Sequence, residues 1–158
     1  MKSIMLSIKP KWVAKILNGE KTIEIRKSIP KCDLPIDVYI YCTKDRKYAN
    51  LINRGGFLTG MVVAKFTLDN WEKWEIHPEK EPDEEDKEIL KLSCLSVNET
   101  TKYAAGKPIY GWYIDNLVIF DKPKEISEFK KCYRSKGYPQ NQSWYLTRAP
   151  QSWCYVEI

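Results

Sequence analysis

Lys21, Glu24 and Arg26 fall within "KTIEIR" and bring two cations and one carboxylate together. Arginine can grip a phosphate or carboxylate through its planar fork. Glutamate can accept from the exocyclic amine of a cytosine-like ring. A lysine beside a second cation can act as a base or nucleophile. The trio therefore suits recognition of an anionic or base-like ligand, with Glu24 orienting one of the cations. It equally suits a hydrolase. A solvated Glu–Arg pair on a strand face, worth at most about 1 kcal/mol, would explain the same spacing.

Around this trio stand Ser7 and Lys9, on the polar side of the first predicted strand and expected to neighbour it. Trp112 and Trp153 are ordinary core candidates, but an exposed ring beside the trio would stack on a base for about 1–3 kcal/mol. No metal or other cofactor is expected. The five cysteines (Cys32, Cys42, Cys94, Cys132, Cys154) include no CxxC, and the one histidine, His77, lies in an acidic stretch, so neither a zinc ligand set nor a Cys–His pair is spaced for use. The acidic run itself reads as a solvated loop and helix start, because glycosidase-like carboxylate chemistry needs rigid, partly buried placement.

The elements that must position these residues follow from periodicity. "SIMLSIKP" alternates Ile4, Leu6 and Ile8 against Met5, Ser7 and Lys9, the period of a half-buried strand. Pro10 suits the first turn of a helix, Trp12, Val13, Ile16 and Leu17 share one helical face, and Gly19 is its stop. "KTIEIR" follows as a strand. If Ile23 and Ile25 face the core, Glu24 and Arg26 point to one side about 7 Å apart. Further strands are expected at 36–43, at 57–68 after the Arg54-Gly55-Gly56 turn, at 110–120 ended by Pro123, and at the C-terminal "SWCYVEI". Residues from Trp71 through the acidic run should be irregular, with a helix from about Asp83. A short helix capped by Asn98 and stopped by Gly106 should follow, and residues 130–143 should be a polar loop.

The chain has 158 residues, 43% hydrophobic and 30% charged, which suits one globular domain with a real core. No secretory or membrane-spanning segment is expected, and five widely spaced cysteines suit reduced thiols in the cytoplasm. Residues 77–88 hold seven acids and two lysines; with the total at +5, the rest of the chain carries +10. That density favours an anionic partner, nucleic acid first. Five or six strands with two or three short helices predict an α+β fold on a small, strongly bent sheet or barrel. Parallel βαβ winding is disfavoured, since few helices are long enough for crossovers.

"LSIKPKWVAKILNGEKTIEIRK" resembles the opening of the ASCH domain (activating signal cointegrator homology), a family of PUA-like β-barrels. The family's Gly-x-Lys-x-x-Glu-x-Arg signature is met by Gly19, Lys21, Glu24 and Arg26. "YGWYIDNLVIFDKPKEISEF" and "PQSWCYVEI" are similar to the closing segments of small bacterial and phage ASCH proteins, and the resemblance thins over about 71–92, where the acidic segment looks like an insertion. The resemblance implies a single PUA-like domain over 1–158, a small mixed barrel with short flanking helices, and a cleft lined by the signature that suits RNA or a nucleotide-like ligand.

Within the family, small acetylcytidine amidohydrolases use a lysine, a threonine and a glutamate. Lys21 matches their lysine. Glu24 stands where their threonine would be, Thr22 is not equivalent, and Glu99 is the one candidate for their glutamate. A carboxylate in place of a hydroxyl changes the chemistry available. The expected function is thus binding of RNA or a nucleotide-like ligand through Lys21, Glu24 and Arg26, gathered in one solvent-accessible cleft. The alternatives are a hydrolase (an amidohydrolase on an acetylated cytidine-type nucleoside, or a ribonuclease) with Lys21 and Glu24 catalytic, and a protein-interaction module working through the acidic insertion.

Overall fold

The structure, a computed structural model, describes residues 1–45, 47, 59–132 and 144–158, which fall into two compact units. The first comprises Met1–Ala14, Ile36–Thr67 and Asn116–Ile158; the second comprises Lys15–Pro35 and Leu68–Asp115.

The first unit is built on β1 (Lys2–Ile8), which runs through the middle of a six-stranded sheet. β3 (Ile36–Cys42) lies along one side of β1 and β9 (Trp153–Glu157) along the other. β4 (Val62–Leu68) and β7 (Asp115–Lys124) extend the sheet beyond β3, and the two-residue β8 (Lys130–Lys131) follows β9. The order β7-β4-β3-β1-β9-β8 ends in two edges, so the described residues do not close this sheet on itself. β1 is buried on both faces rather than one: Met5 and Ser7 are as enclosed as Ile4, Leu6 and Ile8. The reason is its central place between two neighbours, with Met5 packed in a cluster with Tyr39, Tyr41, Phe129, Leu146 and Val156. β1 and β3 pair in parallel, Ile4 opposite Val38 and Leu6 opposite Ile40, although the sequence disfavours parallel βαβ winding. The 9–35 segment between them supplies the long crossover a parallel pair needs, although only part of it is helical.

α1 (Pro10–Leu17) starts in the first unit and ends in the second. Gly19 sits at φ +84° and its N–H closes on the Ile16 carbonyl, the left-handed stop expected of a glycine after a helix. In the second unit β2 (Ile23–Arg26), β6 (Ile109–Tyr113) and β5 (Trp71–Trp74) form a three-stranded antiparallel sheet with β6 central. Ile23, Ile25, Trp74 and Ile109 pack with Ile89 of α2 (Glu84–Ser93) and Ala104 of α3 (Val97–Ala104).

Several expected boundaries shift. Trp71–Trp74 is a strand because its backbone pairs with β6, a partner remote in sequence. The 110–120 strand is in fact two, β6 and β7, in different sheets; Asn116 at φ +49° marks the change of course, and β7 runs past Pro123 to Lys124. The cap of α3 is Ser96, not Asn98, because Ser96 and Glu99 bond each other's backbone N–H reciprocally. The helix from Asp83 stands, and its acidic first turn is part of the architecture: Asp86 completes a capping box with Asp83 and accepts from Trp74 Nε1 at 2.7 Å. The Arg54-Gly55-Gly56 turn, the start of the 57–68 strand and most of the 130–143 loop lie outside the described residues. Among the described residues no helix is long and apolar enough to cross a membrane.

Candidate functional site

β2 carries the trio, and three backbone contacts fix where it begins. Lys21 N–H bonds the Lys15 carbonyl at the end of α1, Thr22 N–H bonds the Leu92 carbonyl of α2, and the Thr22 carbonyl accepts from Ile114 N–H. Lys21 is thereby turned inward before regular strand pairing starts, which is why it escapes the alternation that would have sent it to the face of Ile23 and Ile25. From there Glu24 lies opposite Trp112 and Arg26 opposite Tyr110 in the β2–β6 register.

The three side chains meet on one carboxylate. Arg26 Nη2 lies 3.0 Å from Glu24 Oε1, and Lys21 Nζ lies 3.3 Å from Glu24 Oε2. Lys21 Nζ also donates to the Ser93 carbonyl at 2.6 Å. The contact between Glu24 Oε2 and Lys21 is charge attraction rather than a hydrogen bond, for this oxygen is buried without a hydrogen-bond donor. Lys21, Glu24 and Arg26 are only 2%, 6% and 9% exposed, so the trio is enclosed and does not line an open cleft. Neither the solvated strand face nor the solvent-accessible cleft describes it. Such burial removes several kcal/mol of hydration per ion, which the mutual pairing and the Ser93 carbonyl help to offset.

Tyr103 of α3 belongs to the same neighbourhood. Burial raises its phenol above the ordinary tyrosine range, Arg26 partly opposes this, and Glu24 adds to it. Its ring also receives the Lys27 ammonium 4.9 Å from the centroid. A phenol raised in this way keeps its proton at neutral pH. Nothing local in "NETTKYAAG" points to this role; only the packing of α3 against the sheet brings Tyr103 there.

The other expected site residues are placed differently. Trp112 is fully buried and donates from Nε1 to the Ser28 carbonyl at 3.2 Å, so it is a core ring and not a stacking platform. Ser7 is buried in the first unit and its hydroxyl donates to the Pro150 carbonyl at 2.7 Å. Lys9 is exposed, lies beyond the end of β1, and its carbonyl receives the N–H groups of Trp12 and Val13. β1 pairs with β3 and β9 and not with β2, so the expectation that Ser7 and Lys9 adjoin the trio in one sheet is corrected. Trp153 is half-buried in β9 and packs edge-on against Tyr155. Thr22 is exposed, and the Glu99 carboxylate is taken up by the Ser96 cap.

Fold and site together define a class: a mixed α+β protein, with three α-helices and nine strands among the described residues, and a lysine, a glutamate and an arginine gathered at the entry to a small sheet. The chain belongs to the ASCH domain family, whose sequence model matches residues 6–151. No curated protein matches it. It is similar to the crystal structure of ASCH from Zymomonas mobilis, at 16% identity and a TM-score of 0.63, covering 98% of this chain and 87% of that one. A tyrosine-to-phenylalanine mutant of the Zymomonas mobilis protein gives 16% identity and 0.62, with 99% and 91% covered. A serine-to-alanine mutant gives 15% and 0.61, with 98% and 88% covered. At such identities the likeness concerns the fold alone.

Proposed function

We propose that this protein is a PUA-like ASCH domain of the cytoplasm that binds single-stranded RNA or a nucleotide-like ligand, with Lys21, Glu24 and Arg26 as its recognition centre. One observation carries the reading: both cations of the family signature converge on Glu24, at 3.3 and 3.0 Å, in an enclosed place. Buried ion clusters are poor sources of stability, because well-packed apolar residues usually serve as well. A trio retained at such cost is better explained by a ligand. Its charges sum to +1, which suits phosphate. Binding is favoured over hydrolysis because Lys21 is engaged by the Ser93 carbonyl and Glu24, while the Ser93 hydroxyl turns to the Leu90 carbonyl.

The test is titration of short single-stranded RNAs and modified nucleosides, acetylated cytidine included, with binding and turnover scored together. Affinity for RNA should fall with salt at a slope of about −0.7 per phosphate neutralised. Glu24→Gln should weaken binding by about 1.5–3 kcal/mol, the size of a hydrogen bond to a charged group, with no product from either protein. Should Glu24→Gln fold poorly, Arg26→Lys keeps the charge and loses only the fork. Absence of binding, or salt-independent binding, would remove the nucleic-acid reading. Turnover abolished by both Lys21→Ala and Glu24→Gln would install the hydrolase instead.

A further inference from the structure

Immediately after Arg26 the chain enters a shallow hollow of about 380 Å³ lined by Lys27, Ala104, Ala105, Lys107, Pro108 and Tyr110. Its volume lies at the lower end of the range for small-ligand sites. The chemistry of the lining is uneven. It holds two ammonium groups and no carboxylate, one aromatic ring, and an apolar floor of Ala104, Ala105 and Pro108. Among the described residues neither Lys27 nor Lys107 takes part in an ion pair, as is also true of Lys80, Lys91 and Lys102 of the same unit. A neighbouring hollow shares Ala104, Lys107 and Pro108 but adds Glu75 and His77, so it lacks the single-sign character.

The two lysines and the ring are held, not merely nearby. Lys27 is the residue after Arg26, and its ammonium rests on the Tyr103 ring, 4.9 Å from the centroid. Lys107 is placed by its own N–H, which bonds the Ala104 carbonyl after the left-handed Ala105 and Gly106. Tyr110 is set opposite Arg26 by the sheet register and braced by Trp71, with ring centroids 5.7 Å apart at 79°.

We propose that this hollow is a nucleotide subsite that receives one phosphate of a single-stranded RNA between Lys27 and Lys107 and packs the adjoining base against Tyr110. The proposal rests on the RNA-binding reading and deepens it: the enclosed trio recognises one group, and the open hollow beside it takes the next nucleotide of the strand. Lysine is suited to this as a compact point charge on a flexible stem, and an aromatic face accepts any base.

The experiment uses the full chain, a short single-stranded RNA and cytidine 5′-monophosphate. Lys27→Gln/Lys107→Gln is expected to weaken RNA binding about 10-fold or more and to reduce the salt slope by about 0.7, one phosphate's worth. Lys122→Gln/Lys130→Gln, which removes two exposed lysines of the first unit, should leave both unchanged. Tyr110→Leu should lose about 5-fold or more while Tyr110→Phe keeps wild-type affinity, because only the ring face matters. If Glu24→Gln weakens RNA binding and the Lys27/Lys107 double variant does not, the hollow is rejected and the RNA reading stands. If the Lys122/Lys130 double variant matches the Lys27/Lys107 one, binding is diffuse and the hollow is again rejected. If the wild-type protein binds neither RNA nor cytidine 5′-monophosphate, both fall.

Discussion

Replacing Glu24 by glutamine tests the enclosure of the trio directly, with no ligand present. The carboxylate pairs with both Lys21 and Arg26, and all three side chains are below 10% exposed. Removing one member of a buried pair costs about 3–5 kcal/mol, chiefly because the surviving charge stays desolvated. Glutamine retains an oxygen that can accept from Arg26, so the lower end, about 3 kcal/mol, is expected. For a protein of this size each kcal/mol moves the midpoint by about 2–4 °C, which gives a fall of about 6–12 °C. Thermal unfolding followed by circular dichroism, checked by urea titration, reads this. The triple variant Lys21→Met/Glu24→Leu/Arg26→Met should by contrast unfold near the wild-type midpoint, since it removes every charge together. A Glu24→Gln midpoint within about 2 °C of wild type would place the trio among surface pairs worth 1 kcal/mol or less and refute the reasoning.

Two further outcomes follow from the packing. Gly111→Ala would set a Cβ 3.0 Å from Ile23 Cγ2 and 3.8 Å from Ile25 Cδ1, inside the core of the second unit. Overpacking costs about 1–3 kcal/mol and the entropy gained from the unfolded chain returns about 0.4–1, so a lower urea midpoint is expected; a higher one would mean that Ile23 yields freely. Burial pushes the Cys42 thiol up from 9.0 to about 12 and the Cys154 thiol to about 11. Above the unfolded value the native state therefore holds protons that the unfolded chain releases. This contribution is intact below about pH 9 and is lost as pH climbs towards the folded values. A Cys42→Ala/Cys154→Ala variant should lose less stability than wild type between about pH 9 and 11, and equal losses would count against the thiols as the cause.

Local sequence determined those features whose cause is local. Pro10, the apolar face of Trp12, Val13, Ile16 and Leu17, and Gly19 define a helix with its own start and stop, and α1 has those bounds. The β-branched and aromatic run at 36–42 and the C-terminal 153–157 run pair as strands. The spacing of Lys21, Glu24 and Arg26 allowed a surface pair as readily as a site, and it was the resemblance to the ASCH signature that nominated the cluster the fold gathers. Tertiary structure decided everything that depends on a distant partner. Alternation in "TIEIR" states that two faces differ, but not that both are covered, and the burial of Glu24 and Arg26 depends on what packs over them. Trp71–Trp74 becomes a strand only because β6 offers it hydrogen bonds, and the apparent single strand at 110–120 divides because its halves find partners in different sheets. Trp112 reads first as a core ring with stacking as the alternative, and its register opposite Glu24 and complete burial decide for the core. Tyr103, Lys107 and Tyr110 carry no motif; they meet Lys27 because α3 and β6 return to the end of β2 from more than 70 residues along the chain. Periodicity encodes which side of an element is apolar, whereas a site is made by which elements come together, and that is a property of the packed chain.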